Sequence, residues 1–148
     1  AGAFSSDPNP EFNAFVDPSA TRRVFESWPT PLVTSGFEVG LAILYPATSI
    51  EQDYQYVKDH PVAEAYRLYK KMPHDRPTFD LNSVLYAARP DRGYYGLSKP
   101  GKITLNDKNI TEFEEVEGGL HRYQTVTQDQ IVQVSEVFVQ MVSSPPGR

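Results

Sequence analysis

The alternation of apolar and polar residues divides the first third of the chain into a helix and a strand. Asp17 followed by Pro18 combines an N-cap residue with a proline at the first helical position, which predicts a helix ending near Ser27. The β-prone run TPLVTSG at 30–36 ends in glycine and predicts a short strand. The next residues, FEVGLAIL, begin another helix or continue into the core. Helix followed by strand indicates an α/β layer.

Two further helical segments are predicted in the middle of the chain. Residues 49–72 have helical spacing interrupted before Pro61, which predicts two helices that meet there. The segment DLNSVLYAAR then begins at Asp80, which is expected to be the N-cap of a buried helix.

The last third changes from helical to extended spacing and back. Residues 93–126 alternate β-branched and polar side chains around a turn at 106–109, which predicts a β-hairpin and a third strand as an antiparallel appendage. Thr127 and Gln130 match a capping box. A final helix is predicted from the apolar stripe Ile131, Val134, Phe138 and Met141.

Composition narrows the class of protein. The 148 residues fit one domain with a sizeable core. A formal charge of −5 argues against a nucleic-acid partner, and no apolar run approaches the roughly 20 residues of a membrane-spanning helix. Cysteine is absent, which excludes disulfide and thiolate chemistry. Nothing in the sequence indicates the compartment.

Glu11 and Asn13 are the first candidates for ligand binding. In an extended segment they would face the same side while Phe12 anchors in the core. A carboxylate accepts hydrogen bonds and a carboxamide both donates and accepts, so the pair suits sugar hydroxyls. The alternative is that both are turn or capping groups beside a helix start.

Three stretches carry a resemblance to a known family. PEFNAFVDPSATRRVF resembles the A-E-F-N-x-x-x-D-P-E-A-A-x-x-V-F stretch of the inosine-uridine-preferring nucleoside hydrolases, and AGAF resembles their G-G-A-F phrase. DLNSVLY resembles their helix D-P-L-A-V-A-Y, whose aspartate binds calcium and follows a histidine. Asp80 is the counterpart of that aspartate, and Phe79 stands in the place of the histidine. His74-Asp75 spells the pair literally, but Pro77 interrupts any helix there.

The resemblance implies a fold and an activity. The fold is the C-terminal part of an open α/β sheet flanked by helices, and the activity is calcium-assisted attack of water on the N-glycosidic bond of a ribonucleoside. Glu11 and Asn13 would bind the ribose and Asp80 the calcium. Because phenylalanine cannot donate a proton, Phe79 leaves activation of the departing base unexplained.

The family's D-x-D-x-x-x-D-D cluster, which carries the general base, is not in this sequence. We therefore expect residues 1–148 to be the C-terminal part of a single domain, with an incomplete calcium shell and no activity when isolated. Its partners would be a nucleoside or ribosyl small molecule and either further copies of itself or the N-terminal part. Two alternatives stay open: a non-catalytic ribosyl- or sugar-binding module, and a structural half that pairs with another chain through a sheet edge.

Three more residues are weaker candidates. Glu38 follows the predicted strand, where α/β folds place ligand contacts, but it also suits the first turn of a helix. Tyr94 and Tyr95 either close over a pocket or pack on a neighbouring element.

Overall fold

The protein is described by a computed structural model covering residues 2–4 and 10–145. Its helices are α1 (Phe12–Val16), α2 (Pro18–Ser27), α3 (Phe37–Ala42), α4 (Ala47–Gln52), α5 (Pro61–Tyr69), α6 (Phe79–Ala88) and α7 (Gln128–Ser143). Its strands are β1 (Leu32–Thr34), β2 (Leu44–Tyr45), β3 (Arg76–Pro77), β4 (Gly96–Leu97), β5 (Gly101–Leu105), β6 (Thr111–Glu115) and β7 (His121–Thr125). No helix in this part of the chain is long and apolar enough to cross a membrane.

The main sheet is mixed. Its strand order is β1-β7-β5-β6, and β4 pairs with β7. β1 and β7 run parallel, with Leu32 opposite His121, whereas β5 pairs antiparallel with β6 and β7. The hairpin predicted within 93–126 is therefore present as β5 and β6, and it extends the sheet away from β1.

A second, two-stranded sheet joins the end of α3 to the start of α6. Leu44 of β2 lies opposite Pro77 of β3 in antiparallel register. Because β2 directly follows α3 and β3 directly precedes α6, this small sheet fixes the distance between the two helices. The position of the first turn of α6 is thus set by backbone pairing.

The predicted helix starts of α2 and α7 are confirmed. The Asp17 side chain accepts a hydrogen bond from the Ala20 backbone N–H at 2.8 Å. Thr127 and Gln130 form the reciprocal bonds of a capping box. The two middle helices are also present, but the prediction that they meet near Pro61 is wrong, because α4 already ends at Gln52 and turns occupy the gap.

Two apolar clusters form the core. The larger gathers α3 to α7, and Val134 and Phe138 of the predicted α7 stripe are buried in it, whereas Met141 is 46% exposed. The smaller cluster packs Ala14 and Phe25 of α1 and α2 against β5. The second cluster holds the N-terminal helices onto the sheet.

Candidate functional site

A cavity of about 320 Å³ lies where the first residues of α1, α3 and α6 come together. Glu11, Asn13 and Asp80, which are up to 69 positions apart in the sequence, all line it. The remaining described lining residues are Gly2, Phe12, Ser35, Gly36, Phe37, Phe79 and Ser83. Ser35 and Gly36 directly follow the carboxyl end of β1, the position where α/β folds place their ligands.

Glu11 is both a helix cap and a cavity residue. Its carboxylate accepts hydrogen bonds from the backbone N–H groups of Asn13 at 3.2 Å, Ala14 at 3.4 Å and Gly2 at 3.4 Å. The bonds from Asn13 and Ala14 satisfy free N–H groups in the first turn of α1, and all three bonds fix the orientation of the carboxylate. The capping alternative is therefore correct for Glu11, and it places the side chain at the cavity instead of excluding it.

The prediction that Phe12 anchors in the core is wrong. Its side chain is 74% exposed and lines the cavity. The reason is that α1 begins at Phe12, so successive side chains are turned by about 100° around a helix and do not alternate between two faces of a strand.

Asn13 reaches the cavity from the first turn of α1. Its Nδ2 donates a hydrogen bond to Glu11 Oε1 at 2.9 Å. This is the one hydrogen bond that the Asn13 side chain makes with the described residues. The carboxamide oxygen and the second N–H are therefore able to bind a ligand. The pair thus presents a carboxylate together with a group that both donates and accepts.

The sequence suggested that Asp80 is the N-cap of α6, and this prediction is wrong. Thr78 occupies that position, and Asp80 lies exposed in the first turn, where the helix dipole favours a negative charge. Asp80 is one of the residues that line the cavity, and it does not cap α6.

A buried hydrogen-bond network holds the start of α6. Thr78 Oγ1 donates to the Ile43 carbonyl at 2.8 Å, and Asn82 Nδ2 donates to the Thr78 carbonyl at 2.7 Å. Tyr95 donates its hydroxyl to Asn82 Oδ1 at 2.9 Å. Asn82 is completely buried, so this network fixes the turn that carries Phe79 and Asp80.

Tyr94 and Tyr95 do not close over the pocket. Each is 9% exposed and packs in the larger core cluster. Burial raises the pKa of the Tyr95 phenol above its ordinary value, so the hydroxyl remains a hydrogen-bond donor at neutral pH.

One side of the cavity is aromatic. The rings of Phe37 and Phe79 stack with centroids 5.4 Å apart and planes inclined by 16°. Gly40 makes this approach of α3 and α6 possible, because a Cβ there would lie 2.2 Å from Phe79 Cδ1 and 3.0 Å from its Cα. Phe79 therefore lies in the cavity lining together with Asp80 and stacks on Phe37.

Glu38 is not brought to this cavity. Its Oε1 accepts a hydrogen bond from the Phe4 backbone N–H, and the neighbouring Phe37 N–H donates to the Gly2 carbonyl at 2.9 Å. Phe4 in turn stacks on Tyr123 with ring centroids 4.4 Å apart. Glu38 thus helps to hold residues 2–4 against the sheet.

His74 and Asp75 also lie away from the cavity lining. Asp75 Oδ1 accepts a hydrogen bond from the Ala47 N–H at 2.8 Å, and the His74 ring stacks on Tyr66 at 5.7 Å between centroids. Asp75 therefore binds the first turn of α4.

The cavity lining was tested against the ligand needs of calcium, the metal that the family resemblance implies. No group of three or more His, Cys, Asp or Glu side chains that could hold a metal occurs within residues 2–4 and 10–145. Glu11 and Asp80 are among the lining residues, and carboxylate oxygens are donors that calcium prefers. Calcium takes about 6–8 oxygen ligands, so these two groups match it in kind but not in number.

Sequence reasoning missed the contribution of the β1–α3 connection. Ser35, Gly36 and Phe37 line the cavity, as does Ser83 one turn into α6. The signal that was available is the carboxyl end of the predicted strand at 30–36, where α/β folds place their ligands. The residues at that end line the cavity, whereas Glu38 binds the Phe4 N–H instead.

The fold is an open mixed sheet with flanking helices, a small two-stranded sheet and a C-terminal helix. This architecture resembles part of a nucleoside hydrolase. The solved structure of a plant nucleoside hydrolase, the PpNRh1 enzyme, matches with a TM-score of 0.68 and 13% sequence identity. The alignment covers 97% of this chain and 51% of that one, so this chain spans about half its length. At this identity the match establishes the fold, and it confirms the predicted structural resemblance.

Sequence comparisons add nothing to that match. No protein-family model matches the chain, and no curated protein matches it.

Proposed function

We propose that this chain forms the ribose-binding side of a nucleoside hydrolase site, in a protein that cleaves the N-glycosidic bond of ribonucleosides. The observation that carries the proposal is the convergence of Glu11, Asn13 and Asp80 on one cavity of about 320 Å³. A cavity of this volume is at the lower end of the range typical for small-molecule sites.

Glu11 and Asn13 would bind the hydroxyl groups of the ribose. The 3.4 Å bonds to Glu11 Oε2 are long, so this oxygen retains capacity to accept a hydrogen bond from a sugar hydroxyl. The Asn13 carboxamide can donate to one hydroxyl and accept from another. Since Glu11 is already oriented by its capping bonds, little side-chain freedom is lost when the sugar binds.

Asp80 would serve as one calcium ligand, with the other ligands and the general base supplied from outside the described residues. A bound calcium would supply positive charge that orients the ribose hydroxyls and acidifies water. The chain's own residues would hold the sugar, and the stacked side chains of Phe37 and Phe79 form an apolar part of the cavity lining.

A non-catalytic ribosyl-binding module is the second candidate, and Phe79 favours it. The ring lies directly before Asp80 at the cavity, where a phenyl group can stack on a base but cannot protonate it. Turnover is therefore what separates the two functions.

The test uses the purified chain and, in parallel, the longest polypeptide that its gene encodes. Inosine and uridine binding is measured by calorimetry, and release of reducing sugar is measured with calcium and with a chelator. Calcium-dependent release that Asp80→Asn abolishes supports the hydrolase, and binding without release supports the module. Asp91→Asn, an exposed carboxylate elsewhere, is the matched control. Absence of any nucleoside binding overturns both functions.

A further inference from the structure

The cavity combines aromatic faces with carboxylates. Phe12, Phe37 and Phe79 line it, and the charged side chains among its described lining residues are Glu11 and Asp80. The negative faces of aromatic rings attract cations, and the Glu11 carboxylate, which is not assigned to calcium, adds to that attraction. Such surroundings favour a ligand that carries positive charge on a flat ring.

Leaving-group chemistry points to the same kind of ligand. When the C1′–N bond of a neutral nucleoside breaks, the electron pair stays on the base, which departs as an anion unless it is protonated. Phe79 cannot supply that proton. A base that is cationic in the substrate departs as a neutral molecule and needs no proton.

We propose that this site takes N-ribosides whose base is permanently cationic, such as pyridinium ribosides. The inference rests on the proposed function and specifies its substrate class. In the reaction, the C1′–N⁺ bond breaks and its electron pair neutralises the ring nitrogen. The C1′–O bond to water forms, and the proton released by that water passes to a carboxylate and then to solvent.

The test compares two ribosides of nearly the same shape by calorimetry on the purified chain, in one calcium-containing buffer. Nicotinamide riboside carries the cationic ring, and benzamide riboside is its neutral carbon-linked counterpart. Cation–aromatic attraction predicts that nicotinamide riboside binds about 2- to 30-fold more tightly. Equal affinity, or tighter binding of benzamide riboside, overturns the inference.

Variants locate the effect. Phe79→Leu keeps an apolar side chain but removes the ring, so the ratio of the two affinities should fall towards one. Phe15→Leu, an exposed aromatic of α1 outside the cavity lining, should leave the ratio unchanged. An unchanged ratio in Phe79→Leu contradicts the role of that ring.

The outcomes also separate this inference from the proposed function. If both ribosides bind equally and binding is weakened by Asp80→Asn, the ribose site stands and the cationic preference fails. If neither riboside binds, the proposed function fails together with the inference.

Discussion

Replacing Tyr95 with phenylalanine tests the network that positions the start of α6. The change removes the hydroxyl that donates to Asn82 Oδ1 at 2.9 Å and leaves this acceptor, on a completely buried side chain, without that partner. An unsatisfied buried acceptor costs about 1–3 kcal/mol. For a chain of this length each kcal/mol shifts the melting temperature by about 2–4 °C, so Tyr95→Phe should lower it by about 2–12 °C.

The assay is thermal and urea unfolding, with Tyr94→Phe as the matched control. Tyr94 is equally buried, and its hydroxyl makes no hydrogen bond with the described residues, so the control should change stability little. In a double-mutant cycle with Asn82→Ala, the combined loss should be smaller than the sum of the single losses, because both changes remove one bond. A neutral Tyr95→Phe, or strictly additive losses, would refute the network.

Two further perturbations test other parts of the structure. Gly40→Ala gains about 1 kcal/mol of helix propensity, but it places a Cβ 2.2 Å from Phe79 Cδ1, and such overpacking costs about 1–3 kcal/mol. Urea unfolding should therefore show net destabilisation. A gain in stability would disprove the close approach of α3 and α6. His121, whose Nδ1 accepts from the Ile103 N–H at 2.9 Å, has a pKa lowered by burial and by Lys102. The neutral His121 ring therefore contributes its full stability above the unfolded-state pKa of about 6.5, and this contribution is lost as the pH falls below that value. The free energy of unfolding should depend less on pH in His121→Asn. An identical slope of unfolding free energy against pH in the two proteins would contradict this.

Signals from neighbouring residues were sufficient to predict several helices and strands from the sequence. The starts of α2 and α7 depend on side chains within three residues of the cap, as in Asp17 to Ala20 and Thr127 to Gln130. Such bonds are encoded by adjacent residues, so sequence spacing identifies them. The hairpin of β5 and β6 is similarly local.

The predictions that were wrong concern contacts between residues that the spacing of residue types along the sequence does not reveal. Phe12 was expected to be buried because the segment was taken as extended, but the Glu11 cap starts a helix there. Asp80 was expected to cap α6, yet pairing of β2 with β3 places Thr78 at that position. For Tyr95 the sequence left two alternatives open, and packing on a neighbouring element is the correct one; its partner Asn82 lies 13 positions away on α6.

The candidate site itself was only partly predictable. Glu11 and Asn13 were candidates from their residue types and Asp80 from the family resemblance, and the fold brings all three to one cavity. Ser35 and Phe37 join it because β1 runs parallel to β7 and its carboxyl end opens onto the same hollow. The neighbour of β1 in the sheet comes from nearly ninety residues later in the chain, and sequence spacing cannot show such a pairing.

The most direct test of the shared ribosyl cavity is a titration of the isotope-labelled chain with inosine, followed by amide NMR shifts. Amides of residues 11–14, 35–37 and 79–83 should move together and fit one dissociation constant. In Glu11→Gln, which keeps an acceptor for the α1 cap, the same amides should respond more weakly, whereas Glu26→Gln, an exposed control on α2, should behave as the parent chain. Shifts confined to one of these segments, or to the β5–β6 hairpin, would contradict a common site.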